Sequence, residues 1–160
     1  MPDSGVHLVG LISDTHGLLR PRVHDALEGV ELILHAGDVG RDGILDELRL
    51  IAPVKAVRGN TDAPDDPLLS DRIDLTLGGV RIHVSHGHEL GSPTPARLAA
   101  HYDADVVVYG HTHQQQVIRI GDQLFVNPGS AGARRFSLLP SVARMTIADG
   151  KAEVQIIDLA

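Results

Sequence analysis

The chain has 160 residues, 42% of them hydrophobic, and a formal net charge of −7, which suits one folded domain with a substantial core. It has no cysteine, so disulfides and thiolate metal sites are excluded and any metal must be held by nitrogen and oxygen. Aromatics are only 2%, which argues against a base-stacking platform, and the acidic balance argues against a general nucleic-acid binder with a basic face.

The first apolar run, Val6 to Ile12, is broken by His7 and Gly10 and lacks a basic leader. Neither a signal peptide nor a spanning helix is expected, no membrane partner is implied, and the expected location is cytoplasmic. That run reads as a buried strand. A helix is expected from Pro21, a residue favoured at the first helical position. Leu32 to Ala36 reads as a second buried strand, Gly43 to Leu50 as a helix with Ile44, Leu45 and Leu48 on one face, and Val54 to Val57 as a third strand. This β-α-β-α-β order implies a parallel sheet with right-handed crossovers. Beyond the loop at Pro64–Pro67, the pattern alternates. Arg72–Leu77 and Val80–Val84 flank Gly78-Gly79 as a hairpin, Pro93–His101 reads as a helix, and Asp105–Tyr109 as an apolar strand. Two more hairpins are expected around Gly121-Asp122 and Asp149-Gly150. The expected fold is α/β (α+β in some schemes): a four-layer α/β/β/α sandwich, two mixed sheets flanked by helices, in a single domain over residues 1–160.

Seven residues of metal-binding type stand just past the strand-like runs: Asp14, His16, Asp38, Asn60, His86, His111 and His113. Ligands bind α/β sheets outside the carboxyl ends of the strands, so these side chains can converge on one pocket. Glycines beside them permit tight turns and close approach of backbone. The spacings Asp14-x-His16 and His111-x-His113 can each aim two donors at one ion. Each residue alone has an ordinary explanation. Asp14 and Asp38 suit helix N-caps, Asn60 a turn with positive φ, and His86 a loop. Their order along successive strand ends carries the inference. Imidazole, carboxylate and amide oxygen together suit Mn, Fe, Co, Ni or Zn better than Ca or Mg. Two divalent ions against two carboxylates leave the pocket net positive, so a phosphate ester is attracted despite the acidic chain.

This ordered set, with Gly37-Asp38, Gly59-Asn60, Gly110-His111-x-His113 and Asn127-Pro128-Gly129-Ser130, resembles the calcineurin-like metallophosphoesterases over residues from about 8 to 130, in particular their small single-domain bacterial and archaeal phosphodiesterase branch. The resemblance implies a pair of mixed sheets flanked by helices and a dinuclear hydrolase acting on phosphodiesters, with monoesters as a further class. It implies that Asp14, His16 and His113 hold one metal, that Asn60, His86 and His111 hold the other, and that Asp38 bridges them. The ions would lie roughly 3.5–4 Å apart, with a bridging hydroxide attacking phosphorus in line. The two cofactor ions are expected to be manganese first, with nickel, iron, cobalt or zinc as alternatives.

One departure from the family pattern concerns the leaving group. Many members follow Gly-Asn with His-Glu, whose histidine is taken to protonate it, whereas this chain reads Gly59-Asn60-Thr61-Asp62. Asp62 and His88 are the candidate acids, and good leaving groups such as aryl phosphates are expected to be favoured. Nearby cations would lower rather than raise a carboxyl pKa at Asp62. Arg134 and Arg135 are candidate contacts for substrate phosphate, because guanidinium matches phosphate geometry. His7, His24, His35, His83 and His101 read as structural or surface residues. The expected partner is a small phosphate-ester substrate, and a homo-oligomer is compatible with the sequence. The alternative function is a catalytically idle protein-binding scaffold of the same fold, since a eukaryotic retromer subunit resembles this family. That protein departs at a ligand histidine, while His86, His111 and His113 are all present here.

Overall fold

The computed structural model describes residues 5–133 and 138–160. Among these residues, ten strands form two five-stranded sheets. In the first, β1 (His7–Ile12) lies between β2 (Leu32–His35) and β9 (Ser141–Ala148); β3 (Val54–Ala56) and β10 (Lys151–Asp158) form the edges. The β1–β2 and β2–β3 pairs are parallel, as the β-α-β-α-β order requires, while β9 runs antiparallel to β1 and to β10. In the second sheet, β5 (Val80–Val84), β6 (Val106–Val108) and β8 (Gln123–Asn127) are parallel. The antiparallel strands β4 (Ile73–Leu77) and β7 (Gln116–Ile120) edge it. All three expected hairpins form.

The layers follow from which strand faces are apolar. Val9, Leu11 and Leu34 of the first sheet pack against Val80, Ile82, Val84, Val106 and Val108 of the second, closing a core between the sheets. On the outer face of the first sheet, Ile12 and Ile33 meet Val23 of α1 (Arg22–Ala26) and Ile44, Leu45 and Leu48 of α2 (Asp42–Leu48). On the outer face of the second, Val107 and Phe125 meet Leu98 of α3 (Pro95–His101). Strands covered on both faces are largely apolar, which explains the predominantly apolar runs in β1, β2 and β6. α3 is capped by Thr94, whose hydroxyl accepts from the Arg97 N–H at 3.2 Å. Leu50, expected to close α2, lies past its end and is exposed. A short 3₁₀ turn at His88–Leu90 has no counterpart in the sequence pattern.

Candidate metal centre

The loops that follow β1, β2, β3, β5 and β6 meet at one end of the sandwich and bring all seven candidate ligands together. Neither aspartate is a helix cap: Pro21 precedes α1 and Arg41 precedes α2. Asn60 does not have positive φ, and His86 is fully buried rather than in an open loop. Among the described non-glycine residues, six have positive φ, and five of them are Asp14, His16, Asp38, His111 and His113. That conformation costs an L-residue about 1–2 kcal/mol, and its concentration in these loops marks a site whose geometry outweighs local preference. Gly59 and Gly110 serve a different need. A Cβ on Gly59 would collide with the Asp38 carboxylate, and one on Gly110 would collide with Ser13 Oγ and Asp14 Oδ2.

Both carboxylates are held by one oxygen and present the other. Asp14 Oδ2 accepts from Ser13 Oγ at 2.6 Å and from the His111 N–H at 3.1 Å. Its Oδ1 is buried without a hydrogen-bond partner among the described residues. That oxygen lies 3.4 Å from His113 Nε2 and 3.7 Å from His16 Nε2, and the two imidazole nitrogens are 3.3 Å apart. Asp38 Oδ1 accepts from the Thr61 N–H at 2.9 Å, while Oδ2 lies 3.6 Å from His16 Nε2 and 3.2 Å from His86 Nε2. Asn60 Oδ1 completes the second group, 3.1 Å from His86 Nε2 and 3.2 Å from His111 Nδ1. Two three-donor sets therefore face one another across Asp38.

The protonation pattern fits a cation. His86 Nδ1 donates to the Ala36 carbonyl at 2.8 Å, so in the neutral ring the Nε2 lone pair confronts the Asn60 and Asp38 oxygens. Three acceptors converge there, and a proton or a metal must lie between them. Burial alone would push the His86 pKa down, but Asp38 and Asp14 outweigh it and raise it. Burial would raise Asp14; the His113 and His16 imidazoles, with His86 and Ser13, instead hold it well below the usual carboxylate range. For Asp38, the His86 imidazole and the Thr61 amide overcome burial and bring the pKa to about 2. Both carboxylates are thus ionised at neutral pH. Burial and the nearby His86 push His111 down, which favours its neutral, ligating form. The donor atoms of Asp14, His16 and His113 lie within 4.8 Å of one another, as do those of Asp14, Asp38 and His86.

The remaining candidates fare differently. The Asp62 side chain, a candidate acid, is engaged with backbone. Its carboxylate accepts from the backbone N–H groups of Val39 at 3.2 Å, Gly40 at 3.1 Å and Gly59 at 2.9 Å, bolting the β2 loop to the β3 loop. Those three bonds occupy the carboxylate with backbone partners of the two loops. His88 stands at the rim, its ring 5.4 Å from that of His86 and 6.5 Å from that of His111. Arg134 and Arg135 lie outside the described residues. The Asn127–Ser130 loop buttresses the site: Asn127 Nδ2 donates to the Gly110 carbonyl at 3.3 Å and to Thr112 Oγ1 at 3.0 Å, and Ser130 Oγ donates to the Asp14 carbonyl at 2.9 Å. His35, which the sequence pattern left as structural or surface, is fully buried directly beneath the site. Its position two residues before Gly37-Asp38 was the available signal.

Two mixed sheets with imidazoles and carboxylates gathered at their strand ends place the chain in the phosphoesterase class of α/β proteins. Residues 8–150 match the model of the calcineurin-like phosphoesterase superfamily domain, and the chain belongs to that family. A probable metallophosphoesterase of Methanothermobacter thermautotrophicus is 36% identical over 158 residues, covering 94% of this chain and 91% of that one. Among solved structures, a single mutant of Vps29 from Entamoeba histolytica superposes with a TM-score of 0.79 at 26% identity, covering 96% of this chain and 99% of that one. An archaeal phosphodiesterase does so with a TM-score of 0.77 at 26% identity, covering 95% and 99%. The chain is accordingly a phosphoesterase, of a family that uses divalent metals. No helix among the described residues is long and apolar enough to cross a membrane.

Proposed function

We propose that the chain is a phosphodiesterase that works with two divalent transition-metal ions, manganese foremost, and favours esters with good leaving groups. The observation that supports this most is Asp38 Oδ2 lying 3.6 Å from His16 Nε2 and 3.2 Å from His86 Nε2, between the Asp14–His16–His113 and Asn60–His86–His111 groups. On this reading Asp14, His16 and His113 hold one ion, Asn60, His86 and His111 hold the other, and Asp38 contacts both. When bound, the ions would neutralise phosphoryl oxygens and make water a competent nucleophile near neutral pH.

The chain's own residues do the rest. Ser13, Thr61 and the His111 amide fix one oxygen of each aspartate, so the other is aimed without a search through rotamers. The Ala36 carbonyl fixes the His86 tautomer. Asn60, being neutral, leaves the pocket more positive than a carboxylate would, which suits a singly charged diester. His88, at the open rim, is the side chain proposed to pass a proton to the leaving oxygen. Arg134 and Arg135 remain proposed phosphate contacts on guanidinium chemistry alone.

Hydrolysis of bis-aryl and mono-aryl phosphates by manganese-loaded protein tests this directly. Turnover should fall on the order of a thousandfold in Asp38→Ala and His86→Ala with the fold intact by circular dichroism; near-wild-type activity in both would reject the site. A second reading, a protein-binding scaffold, draws on the likeness to Vps29 and on the exposed edge strand β7, with Val117, Ile118 and Ile120 all open to solvent. Metal-loaded protein inactive on every diester tested would favour that reading.

A further inference from the structure

The two loops that carry the aspartates are joined beneath the site by a chain of side-chain hydrogen bonds whose direction is set by the backbone. The Gly37 N–H donates to His35 Nδ1 at 3.1 Å, so that nitrogen must hold the lone pair. His35 Nε2 therefore carries the proton and donates to Thr15 Oγ1 at 3.0 Å. The Thr15 hydroxyl, having accepted, donates to the Val39 carbonyl at 2.7 Å. Thr15 separates Asp14 from His16, while Gly37 and Val39 flank Asp38. The run Gly37–His35–Thr15–Val39 thus encloses one proposed bridging ligand and grips the residue between two others. His35 and Thr15 are both fully buried, so an unmatched donor there would find no water to replace its partner. Three backbone bonds also cross between these loops, from Asp14, His16 and Gly17 to Gly37, Asp38 and Val39. They set the separation of the loops, but they leave the Thr15 side chain and the turn at Gly37 unspecified.

We propose that His35 and Thr15 are positioning residues for the metal centre, locking the Asp14–His16 loop against the Asp38 loop so that their free carboxylate oxygens converge before any ion binds. The proposal rests on the reading of Asp14, His16 and Asp38 as ligands. The imidazole must stay neutral to serve, because a second ring N–H would oppose the Gly37 N–H. Burial provides for this by pushing the His35 pKa down to about 4. Neither residue touches a substrate or an ion, and both act through the loops they hold. Partners of this kind typically change metal affinity by about 10–100-fold when removed.

The test is titration of the metal-free full chain with Mn²⁺, followed by calorimetry and by competition with a chelator. Thr15→Val keeps the side-chain shape and deletes the hydroxyl; His35→Ala deletes the imidazole. Each should weaken Mn²⁺ binding by about 10–100-fold. The double variant should bind no more weakly than the worse single one, since the chain is already broken at one link. Thr15→Ser, which restores the hydroxyl, should recover wild-type affinity, an outcome that mere loss of packing would not produce. Should His35→Ala fail to fold, the Thr15 pair decides. Wild-type affinity in Thr15→Val overturns the proposal while leaving the metal centre standing. Wild-type protein that binds no Mn²⁺, or binding unchanged in Asp38→Ala, overturns the metal reading and this proposal with it.

Discussion

Around the shared Asp38, the half of the site formed by Asp14, His16 and His113 has a carboxylate of its own and two buried members, whereas the half formed by Asn60, His86 and His111 has only neutral donors and opens to solvent through Asn60 and His111. A divalent ion in the first half would meet a dedicated negative charge in a setting exposed only through His16. One in the second would share the Asp38 charge, next to water. On the proposed two-metal reading, the first half would retain an ion and the second would leave positive charge uncompensated for an incoming phosphate. Asymmetry, rather than the number of ligands, is what the geometry teaches about the division of work.

The widest break in this comparison comes from Asp38→Ala, which deprives both halves. Turnover of a bis-aryl phosphate should fall on the order of a thousandfold, several kcal/mol of transition-state stabilisation. Steady-state rates near wild type would show that the halves do not share this residue.

Beneath the first half, burial holds His35 neutral, with a pKa of about 4 against an ordinary 6.5. The unfolded chain binds that proton more readily, so the stabilising contribution is complete above pH 6.5 and is lost as pH falls towards 4. In the metal-free protein it amounts to about 3 kcal/mol across that window. Urea denaturation of wild type and His35→Gln at several pH values reads it as a difference, and parallel pH profiles would remove the basis for it.

On the open side, His88→Ala should slow a diester with an alkyl leaving group by about a hundredfold. A nitrophenyl ester, whose leaving group needs no proton, should hardly respond. Equal losses on both substrates would make His88 structural. The smallest effect is expected from Asn60→Asp, which gives the open half its own charge. Mn²⁺ binding there should tighten about tenfold, because ligand charge count tunes affinity, while the rate on diesters declines. A faster diesterase with tighter metal would contradict the proposed role of neutrality at this position.

Much of this was legible because it is local. Period-two alternation and the dipeptides Gly78-Gly79, Gly121-Asp122 and Asp149-Gly150 announce three hairpins, and each forms. Apolar runs ending in Gly-Asp, Gly-Asn or Ser-His announce strand ends bearing polar side chains, and the fold does gather those seven residues. The loop-joining bonds of Asp62 were not legible because two of its three hydrogen bonds reach Val39 and Gly40, more than twenty residues away. A carboxylate near a ligand looks the same in sequence whether it faces substrate or grips backbone. His35 was passed over for a similar reason: its partner Thr15 is twenty residues distant.

By itself, then, the sequence determined which segments become strands, which faces are apolar and which residues end them, since propensity, alternation and turn chemistry act over a few positions. Only the tertiary structure decided that the final hairpin returns to pair β9 with β1, that Asp14, His16, Asp38, His111 and His113 are held at positive φ, and that Asp62 and His35 hydrogen-bond between loops. Those outcomes depend on contacts between segments far apart in the chain. Their energies exist only once the sheets have packed and excluded water, so no window of neighbouring residues could encode them.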